Sequence, residues 1–388
     1  MIIWAQGVVS RVSGQWSGAI TIDVSPDIDF ATGTEGTSGT EDSAQPDIPA
    51  LAYPNLVGTP AVGDRVLLNT TAYQRGLGTG GFALVVALPD KLPIAETGPG
   101  HLVKARYTPL QSMVLGVDDQ ESPHHEVLRE ADSLHGMPVV AADLHSSLAA
   151  VVAGIRARPG GESLKVAYVM TDGGALPAAF SAACAALREA EWLDSVITTG
   201  QSFGGDLEAV TVHTGLLAAY HVVGADVAVL TQGPGNLGTG TRWGFSGVAL
   251  GEGLNAVGLL GGHGIAALRI SAADPRPRHR GVSHHSATTY GRVVTHDTDL
   301  VVPDLRGCEG ISNDFARQVD RESSDLISRS HHLHRVSVPC RDLRTALSRS
   351  PVKLSTMGRG IDEDPASFLA ASAAGWHAAA PPETGSSV

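Results

Sequence analysis

Two patterns of hydrophobic and polar positions divide the 388-residue chain. The first hundred residues contain short β-branched runs such as G-V-V-S-R-V, G-A-I-T-I-D-V and R-V-L-L-N-T-T, separated by Gly, Pro and Asp. Short runs with turn residues between them are typical of strands. The pattern therefore predicts a small all-β barrel or sandwich domain over residues 1–100.

A different pattern begins at about residue 101. Five apolar runs, each typical of a buried strand, fall near 138–142, 165–170, 195–198, 226–230 and 265–270. Helical periodicity fills the gaps between them. Strands that alternate with helices indicate a parallel sheet with right-handed crossovers. We therefore expect an α/β domain with a predominantly parallel, Rossmann-like sheet over residues 101–292.

The remaining segments have weaker patterns. The tract 25–49 carries six carboxylates and no Lys or Arg, so it has too little apolar surface to order itself, and we expect a mobile loop. Residues 293–388 predict a C-terminal extension with a charged helix near 313–329, a strand at H-R-V-S-V-P and a final alanine-rich helix. A disordered tail is expected to follow.

Composition excludes several classes of protein. Apolar residues make up 43% of the chain and charged residues 17%, which is typical of a globular protein. The net charge of −13 argues against a nucleic-acid partner, because phosphate neutralisation needs a basic face. No signal peptide or membrane-spanning run is evident, and three widely spaced cysteines fit a reducing compartment. We expect a cytoplasmic protein without a membrane partner; a homo-oligomer is compatible with the sequence.

Each predicted strand of the α/β domain leads into a polar or glycine-rich loop. The first four loops contain D-L-H-S, T-D-G-G, T-G-Q-S-F-G-G-D and T-Q-G-P-G-N-L-G-T-G-T, and the fifth leads to the stretch from Asp274 to Tyr290. Ligands of open α/β sheets bind beyond the carboxyl ends of the strands, where such loops converge. The sequence therefore predicts one cleft shared by these loops.

The stretch from Asp274 to Tyr290 gathers three arginines and three histidines in an otherwise acidic chain. We expect Arg276, Arg278 and Arg280 to bind an anion. The alternative is a surface loop whose arginines pair with the acidic body of the protein.

The glycine loop of the fourth strand offers a second set of anion ligands. Backbone N–H groups bared by glycine, together with hydroxyls, suit a phosphate or carboxylate. The candidate residues are Gly235, Gly238, Thr239, Gly240 and Thr241. The loop is neither a Walker A motif nor a dinucleotide fingerprint, and a tight connector without a ligand is the alternative.

Two carboxylates and two histidines are the candidate catalytic residues. Asp172 and Asp206 each end a loop before a predicted helix, so each could be a general base, a metal ligand or simply an N-cap. His284 and His285 are adjacent, which on a strand would place them on opposite sides. At most one of them would then face a ligand, unless the pair lies in a turn.

A divalent metal is the cofactor that the histidines could hold. His279 is one candidate ligand, and Asp143 with His145 is another pair, because residues that flank a single position share one side of an extended segment. An aspartate–imidazole pair can bind a metal or orient a proton carrier. The sequence contains no H-E-x-x-H or comparable spacing.

These residues support two functional hypotheses. The first is an enzyme that acts on a small anionic ligand, phosphorylated or nucleotide-like, by hydrolysis or group transfer. The second is a non-catalytic sensor that binds a metabolite or nucleotide in the same cleft.

Several long motifs carry a family resemblance. They are L-N-T-T-A, L-G-T-G-G, Y-V-M-T-D-G-G-A-L-P, S-F-G-G-D-L-E-A-V, G-P-G-N-L-G-T-G-T and R-H-R-G-V-S-H-H. Together they resemble a bacterial family known as a domain of unknown function, found in high-GC Gram-positive bacteria and some relatives. The resemblance runs over most of the chain and implies no particular activity.

Overall fold

The computed structural model of the chain describes residues 1–27, 46–78, 80–94, 98–173, 177–340 and 342–381. The chain divides into two compact units, Met1–Thr97 and Gly98–Val388. The first unit ends close to the expected boundary at residue 100. The regions 101–292 and 293–388, expected as separate parts, lie within one unit.

Five strands of the first unit form a closed barrel. Its elements are β1 (Trp4–Trp16), β2 (Ala19–Pro26), β3 (Ile48–Ala52), α1 (Pro54–Val57), β4 (Arg65–Asn69), α2 (Thr71–Gln74) and β5 (Ala83–Ala87). The strand order is β1-β2-β3-β5-β4, in which the β3–β5 pair is parallel and the other described pairs are antiparallel. Ala5, Gly7 and Val9 of β1 are buried in alternation with exposed neighbours, as the period of a strand requires.

The acidic tract 25–49 lies mostly outside the described residues, as do residues 382–388 of the predicted tail. The described ends of the tract differ from the expected loop. Strand β2 continues to Pro26 and β3 begins at Ile48. Both ends are held by pairing between β2 and β3, in which Val24 faces Ile48.

The second unit contains an eight-stranded parallel sheet. In chain order, the strands of the whole second unit are β6 (Leu102–Lys104), β7 (Ser112–Val114), β8 (Pro138–Ala142), β9 (Val166–Thr171), β10 (Ser195–Thr199), β11 (Leu207–Ala209), β12 (Val227–Gln232), β13 (His263–Ala267), β14 (Ile270–Ser271), β15 (Gly281–Val282), β16 (Thr298–Asp304), β17 (Leu333–Pro339), β18 (Ser355–Thr356) and β19 (Arg359–Gly360). The sheet has the order β11-β10-β9-β12-β8-β13-β16-β17. The pairs β6–β7, β14–β15 and β18–β19 are separate two-stranded sheets.

All the described strand pairs of the large sheet are parallel. The five strands expected from the sequence are β8, β9, β10, β12 and β13. The fold is thus an α/β unit with a parallel sheet, preceded by a small barrel. Strands β16 and β17 extend the same sheet beyond β13, and their buried apolar residues belong to the core that also contains residues of β13.

Helices cover both faces of the sheet. They are α3 (His125–Arg129), α4 (Leu148–Ala157), α5 (Ala182–Glu189), α6 (Val212–Ala218), α7 (Ala249–Leu259), α8 (His284–Thr288), α9 (Asn313–Ile327), α10 (Leu343–Ser348) and α11 (Pro365–Ala378). Val139 of β8 belongs to a core with α6 and α7, and the next residue, Val140, belongs to a core with α4 and α11. Successive strand residues point to opposite faces, so the continuous apolar strands predict this double cover.

No helix in the described part of the chain is both long and apolar enough to span a membrane.

Candidate functional site

Buried polar atoms without hydrogen-bond partners concentrate at the carboxyl edge of the large sheet. Among the described residues, six buried side-chain atoms lack a partner. Four of them lie at this edge: Thr171 Oγ1 ends β9, Gln232 Oε1 ends β12, Asp143 Oδ2 follows β8, and His284 Nε2 begins α8. Such atoms are rare in native proteins, and a bound water, ion or ligand is one explanation of them. This edge is therefore the candidate functional site.

Three imidazoles form the centre of the site. His279, His284 and His285, here called the imidazole cluster, each offer one nitrogen, and these nitrogens lie within 4.8 Å of one another. Their ring centroids are 4.4 to 4.9 Å apart. The strand placement, on which at most one of His284 and His285 would face a ligand, does not hold, because the two residues begin a helix.

Local interactions fix the orientation of the cluster. Ser283 is the N-cap of α8 and accepts a hydrogen bond from the backbone N–H of His285. The same hydroxyl lies 2.8 Å from Nδ1 of His279. The ring of His285 stacks on Phe245 with a centroid distance of 3.8 Å and an interplanar angle of 2°. The rings of His279 and His285 are thus each held by a neighbour within the described chain.

Two imidazoles of the cluster, His279 and His284, are electrically neutral at physiological pH. Burial, followed by the nearby Arg269 and Arg276, lowers the pKa of His279 to about 3. Burial, followed by His285 and Arg278, lowers the pKa of His284 to about 4. Neutral imidazole nitrogens can accept a hydrogen bond or bind a metal.

Asp143 supplies a buried negative charge beside the cluster. Its Oδ2 lies 3.6 Å from Nδ1 of His285 and 3.6 Å from Nη1 of Arg269. Burial alone would raise the pKa of Asp143, but the His285 contact and the Arg269 charge outweigh burial and lower it. Nη1 of Arg269 also lies 3.1 Å from Nδ1 of His285. Asp143 and Arg269 therefore form a charge pair behind the ring of His285.

Two of the three candidate anion-binding arginines hold the loop together. Arg276 donates two hydrogen bonds to the carboxylate of Asp274, and Arg280 donates to the Asp274 backbone carbonyl. Arg359 reaches Asp274 and Asp364 from the β18–β19 turn. These contacts favour the ion-pair alternative for Arg276 and give Arg280 a structural role.

Arg278 differs from its neighbours. It is exposed and makes no hydrogen bond or ion pair with the residues that the structure describes. Its Nη2 lies 3.8 Å from the position that a Cβ on Gly240 would take. Arg278 is therefore a cation that lies against the glycine loop without an ion-pair partner among the described residues, and it is close enough to His284 to lower the pKa of that imidazole.

The glycine loop meets the cluster through Phe245. Gly238 forms a bridge with Phe245, whose ring covers His285. Gly235 and Gly240 have φ angles of 100° and 80°, which favour glycine. The hydroxyls of Thr239 and Thr241 lie 3.1 Å from each other and are exposed. The helix expected after Thr241 begins at Ala249, after a 3-10 turn.

Asp172 lies at the same edge, one residue beyond the end of β9. It is exposed, and a Cβ on Gly200 would come within 2.4 Å of its Oδ2. Its charge acts on the buried Lys104, which donates to the backbone carbonyls of Gly200 and Ser202. Helix α5 begins ten residues later with Ser181 as its N-cap, so Asp172 does not cap it.

Lys104 and Glu208 form a buried pair next to Asp172, with Nζ and Oε2 3.3 Å apart. Burial, the largest influence on both groups, lowers the pKa of Lys104 and raises the pKa of Glu208. The pair attaches the β6–β7 segment to the sheet edge at β11.

Asp206 lies at the opposite edge of the sheet. The expected helix after it is strand β11, which runs parallel to β10. Asp206 accepts a hydrogen bond from the backbone N–H of Val196, the second residue of β10, and pairs with Arg188. The chain has already returned to the amino edge at this point, so Asp206 is removed from the candidate set.

The predicted metal grouping is also corrected. His145 begins a 3-10 turn instead of continuing the strand, and its ring and the Asp143 carboxylate contact different side chains. Its Nδ1 lies 3.1 Å from the Tyr168 hydroxyl and its Nε2 2.7 Å from the Ser181 hydroxyl. Burial lowers the pKa of His145 to about 4. The structure instead groups His279 with His284 and His285.

Sequence reasoning missed three residues of the site. Arg269 is a lone charge in the apolar run I-A-A-L-R-I, and a charge in such a run is a usable signal. Gln232 ends β12 and donates to the Asp143 carbonyl. The sequence contains no comparable signal for Phe245, because its role is to stack on the ring of His285.

Comparison with known proteins adds a family but no activity. No curated protein matches the chain. Residues 49–375 match the family described as protein of unknown function (DUF3866), and the match covers about half of the first unit and most of the second. The chain belongs to this family.

Proposed function

We propose that this protein is an enzyme that acts on a small anionic substrate, phosphorylated or nucleotide-like, by hydrolysis or group transfer. The observation that carries the proposal is the group of four unpartnered buried polar atoms at the carboxyl edge of the sheet. His279 and His284 are neutral, and the nearby Arg278 has no ion-pair partner among the described residues. Such a combination is suited to binding an anion and reacting with it.

In this proposal the site residues have different roles. Arg278 and the glycine loop, with Thr239 and Thr241, bind the anionic group. The imidazole cluster is the reaction centre, and Asp143 with Arg269 holds it in place. Asp172 is the candidate general base, since it is an exposed carboxylate at the same edge. We also propose a cytoplasmic location, which three buried free cysteines support.

Binding and turnover of anions test the proposal. The full chain is screened by thermal shift with inorganic phosphate, phosphorylated metabolites and nucleotides, and each ligand that binds is then tested for conversion. Arg278→Ala should weaken binding about 10- to 100-fold, the effect of losing a hydrogen bond to a charged group. The matched control is Arg349→Ala, which removes an exposed arginine at the end of α10.

The outcomes are distinct. Turnover that disappears in His284→Ala supports the enzyme. Tight binding of the same ligand without turnover identifies the protein as a sensor. If no anion binds, or if Arg278→Ala and Arg349→Ala behave alike, the assignment of this edge as the anion site is wrong.

A further inference from the structure

We propose that the imidazole cluster binds one divalent transition-metal ion, such as Zn²⁺, through one nitrogen each of His279, His284 and His285. The inference rests on the proposed function in one respect: it places the metal at the reaction centre of that enzyme. Metal binding itself is argued from the geometry alone.

The spacing of the cluster fits one ion. The three ligand nitrogens lie within 4.8 Å of one another. With metal–nitrogen bonds of about 2.1 Å, two ligands of a tetrahedral zinc ion are about 3.4 Å apart. The rings therefore need to close by at most about 1.4 Å, which is within the reach of small side-chain rotations.

Each ring of the cluster has a nitrogen without a hydrogen bond to the described residues. Nδ1 of His279 is taken by Ser283, and Nδ1 of His285 faces Arg269 and Asp143. Nε2 of these two rings makes no hydrogen bond with the described residues. Nε2 of His284 is buried without any partner. An imidazole nitrogen buried without a partner carries a desolvation penalty that a metal bond would offset.

Two of the three arginines near the cluster have a carboxylate beside them, which reduces their repulsion of a cation. Arg276 is neutralised by a two-bond contact with Asp274, and Arg269 faces Asp143 at 3.6 Å. Arg278 alone of these arginines has no carboxylate partner among the described residues. It is placed to hold an anion that approaches the metal.

Asp143 supplies the outer partner that metal-binding histidines usually have. When Nε2 of His285 binds a metal, the ring proton must be on Nδ1. Oδ2 of Asp143 is an acceptor without a hydrogen bond, 3.6 Å from that Nδ1. Arg269 would then turn from His285 towards Asp143. The carboxylate–histidine–metal arrangement fixes the tautomer and the orientation of the ring.

Three protein ligands leave a position open, which distinguishes catalytic from structural zinc sites. An oxygen of the anionic substrate, or a water molecule, is the expected fourth ligand. The substrate class of the proposed function is thereby narrowed to anions with an oxygen that can bind a metal.

A second group of histidines provides an internal comparison. His263 and His377 lie at the amino edge of the sheet, and Nε2 of each is within hydrogen-bond distance of Oδ2 of Asp299, at 2.8 and 2.7 Å. These nitrogens are already satisfied by the carboxylate. We therefore assign the metal to the imidazole cluster and use this group as the control.

The test is metal binding by the chelator-stripped full chain. Co²⁺ is titrated and followed by visible absorption, and the amount of Zn²⁺ retained after dialysis is measured by elemental analysis. The wild type should bind one ion per chain. His284→Ala should lose at least about 100-fold in affinity, and Asp143→Asn about 10- to 100-fold. The double variant His263→Ala/His377→Ala should bind like the wild type.

His284→Ala is expected to fold, because it removes a polar atom that has no partner; circular dichroism checks this, and Asp143→Asn is the second variant. The inference is overturned if the wild type binds no ion, if His284→Ala binds normally, or if the control double variant loses the ion. If metal binding fails while Arg278→Ala still weakens anion binding, the proposed function survives without a metal. If metal binds but no anion does, the proposed function fails alone.

Discussion

Three buried or half-buried carboxylates among the described residues are compensated by specific partners. Asp143 faces Arg269, Asp274 binds Arg276, and Asp299 accepts from two histidines. A buried carboxylate without such partners would be expensive, and loss of one partner leaves the other charge uncompensated. The partners therefore decide which carboxylates are structural and which remain free to react.

The pKa of the Asp299 carboxyl reflects this compensation. Burial alone would raise the pKa of its carboxyl, but the hydrogen bonds of His263 and His377 outweigh burial and lower the pKa well below its ordinary value. A carboxyl whose pKa is lower in the folded chain adds stability above its unfolded pKa, about 3.9. That contribution is lost as the pH falls through the folded pKa.

Asp299→Asn should lower the free energy of unfolding by about 1–3 kcal/mol at pH 7, because the hydrogen bonds lose a charged acceptor. The difference from the wild type should narrow below about pH 4, where the wild-type carboxyl begins to lose its advantage. Urea unfolding at several pH values measures both effects. Asp297→Asn is the control, since the Asp297 side chain is 80% exposed and should change stability far less. Equal effects of the two substitutions at pH 7 would contradict the argument.

Close packing of helices depends on two glycines. Helices α4 and α11 cross on one face of the large sheet. A Cβ on Gly154 would lie 1.9 Å from the backbone oxygen of Ser372, and one on Gly375 would lie 1.9 Å from that of Val151. Backbone atoms cannot rotate away as flexible side chains do. The absence of a side chain at both positions therefore permits the crossing.

Gly154→Ala should destabilise the chain by about 3 kcal/mol, because the helices must separate. This loss is expected even though alanine improves helix propensity by about 1 kcal/mol. The midpoint of urea unfolding, followed by circular dichroism, measures the change. Gly98→Ala serves as the control, since nothing lies within 4 Å of a Cβ there. A neutral or stabilising Gly154→Ala would show that the crossing is not tightly packed.

The two units of the molecule have separate apolar cores. The barrel core is formed by residues from Ala5 to Leu88, and both cores of the large sheet are formed by residues from Val117 onward. The C-terminal region belongs to the second unit, since β16 and β17 complete the sheet and α11 covers it.

A fragment of residues 98–388 should therefore unfold in a single cooperative transition on its own. A fragment of residues 98–292 should not, because it lacks β16, β17 and the helices α9 to α11. Thermal unfolding followed by circular dichroism compares the two. A cooperative transition in the shorter fragment would show that the C-terminal region is a separate extension after all.

Local sequence patterns determined the α/β class, five of the six inner strands of the sheet and the carboxyl-edge location of the candidate site. Apolar runs of strand length indicate strands that are buried on both faces of the sheet, and glycine-rich or polar loops indicate where the strands end. Both patterns are local, so they can be recognised in the sequence without knowing which residues contact each other in the fold. The prediction for Asp206 failed because the short strand β11 has no local signal that separates it from a helix turn.

Only the tertiary structure decided which side chains meet. His284 and His285 share the cluster because α8 starts at that point, and Arg276 is removed from the anion site by Asp274. Asp143, Arg269 and Phe245 come from three different strand ends and loops. Their contacts depend on the order β12-β8-β13 in the sheet. Long-range packing sets this order, and the spacing of residues along the chain does not indicate it.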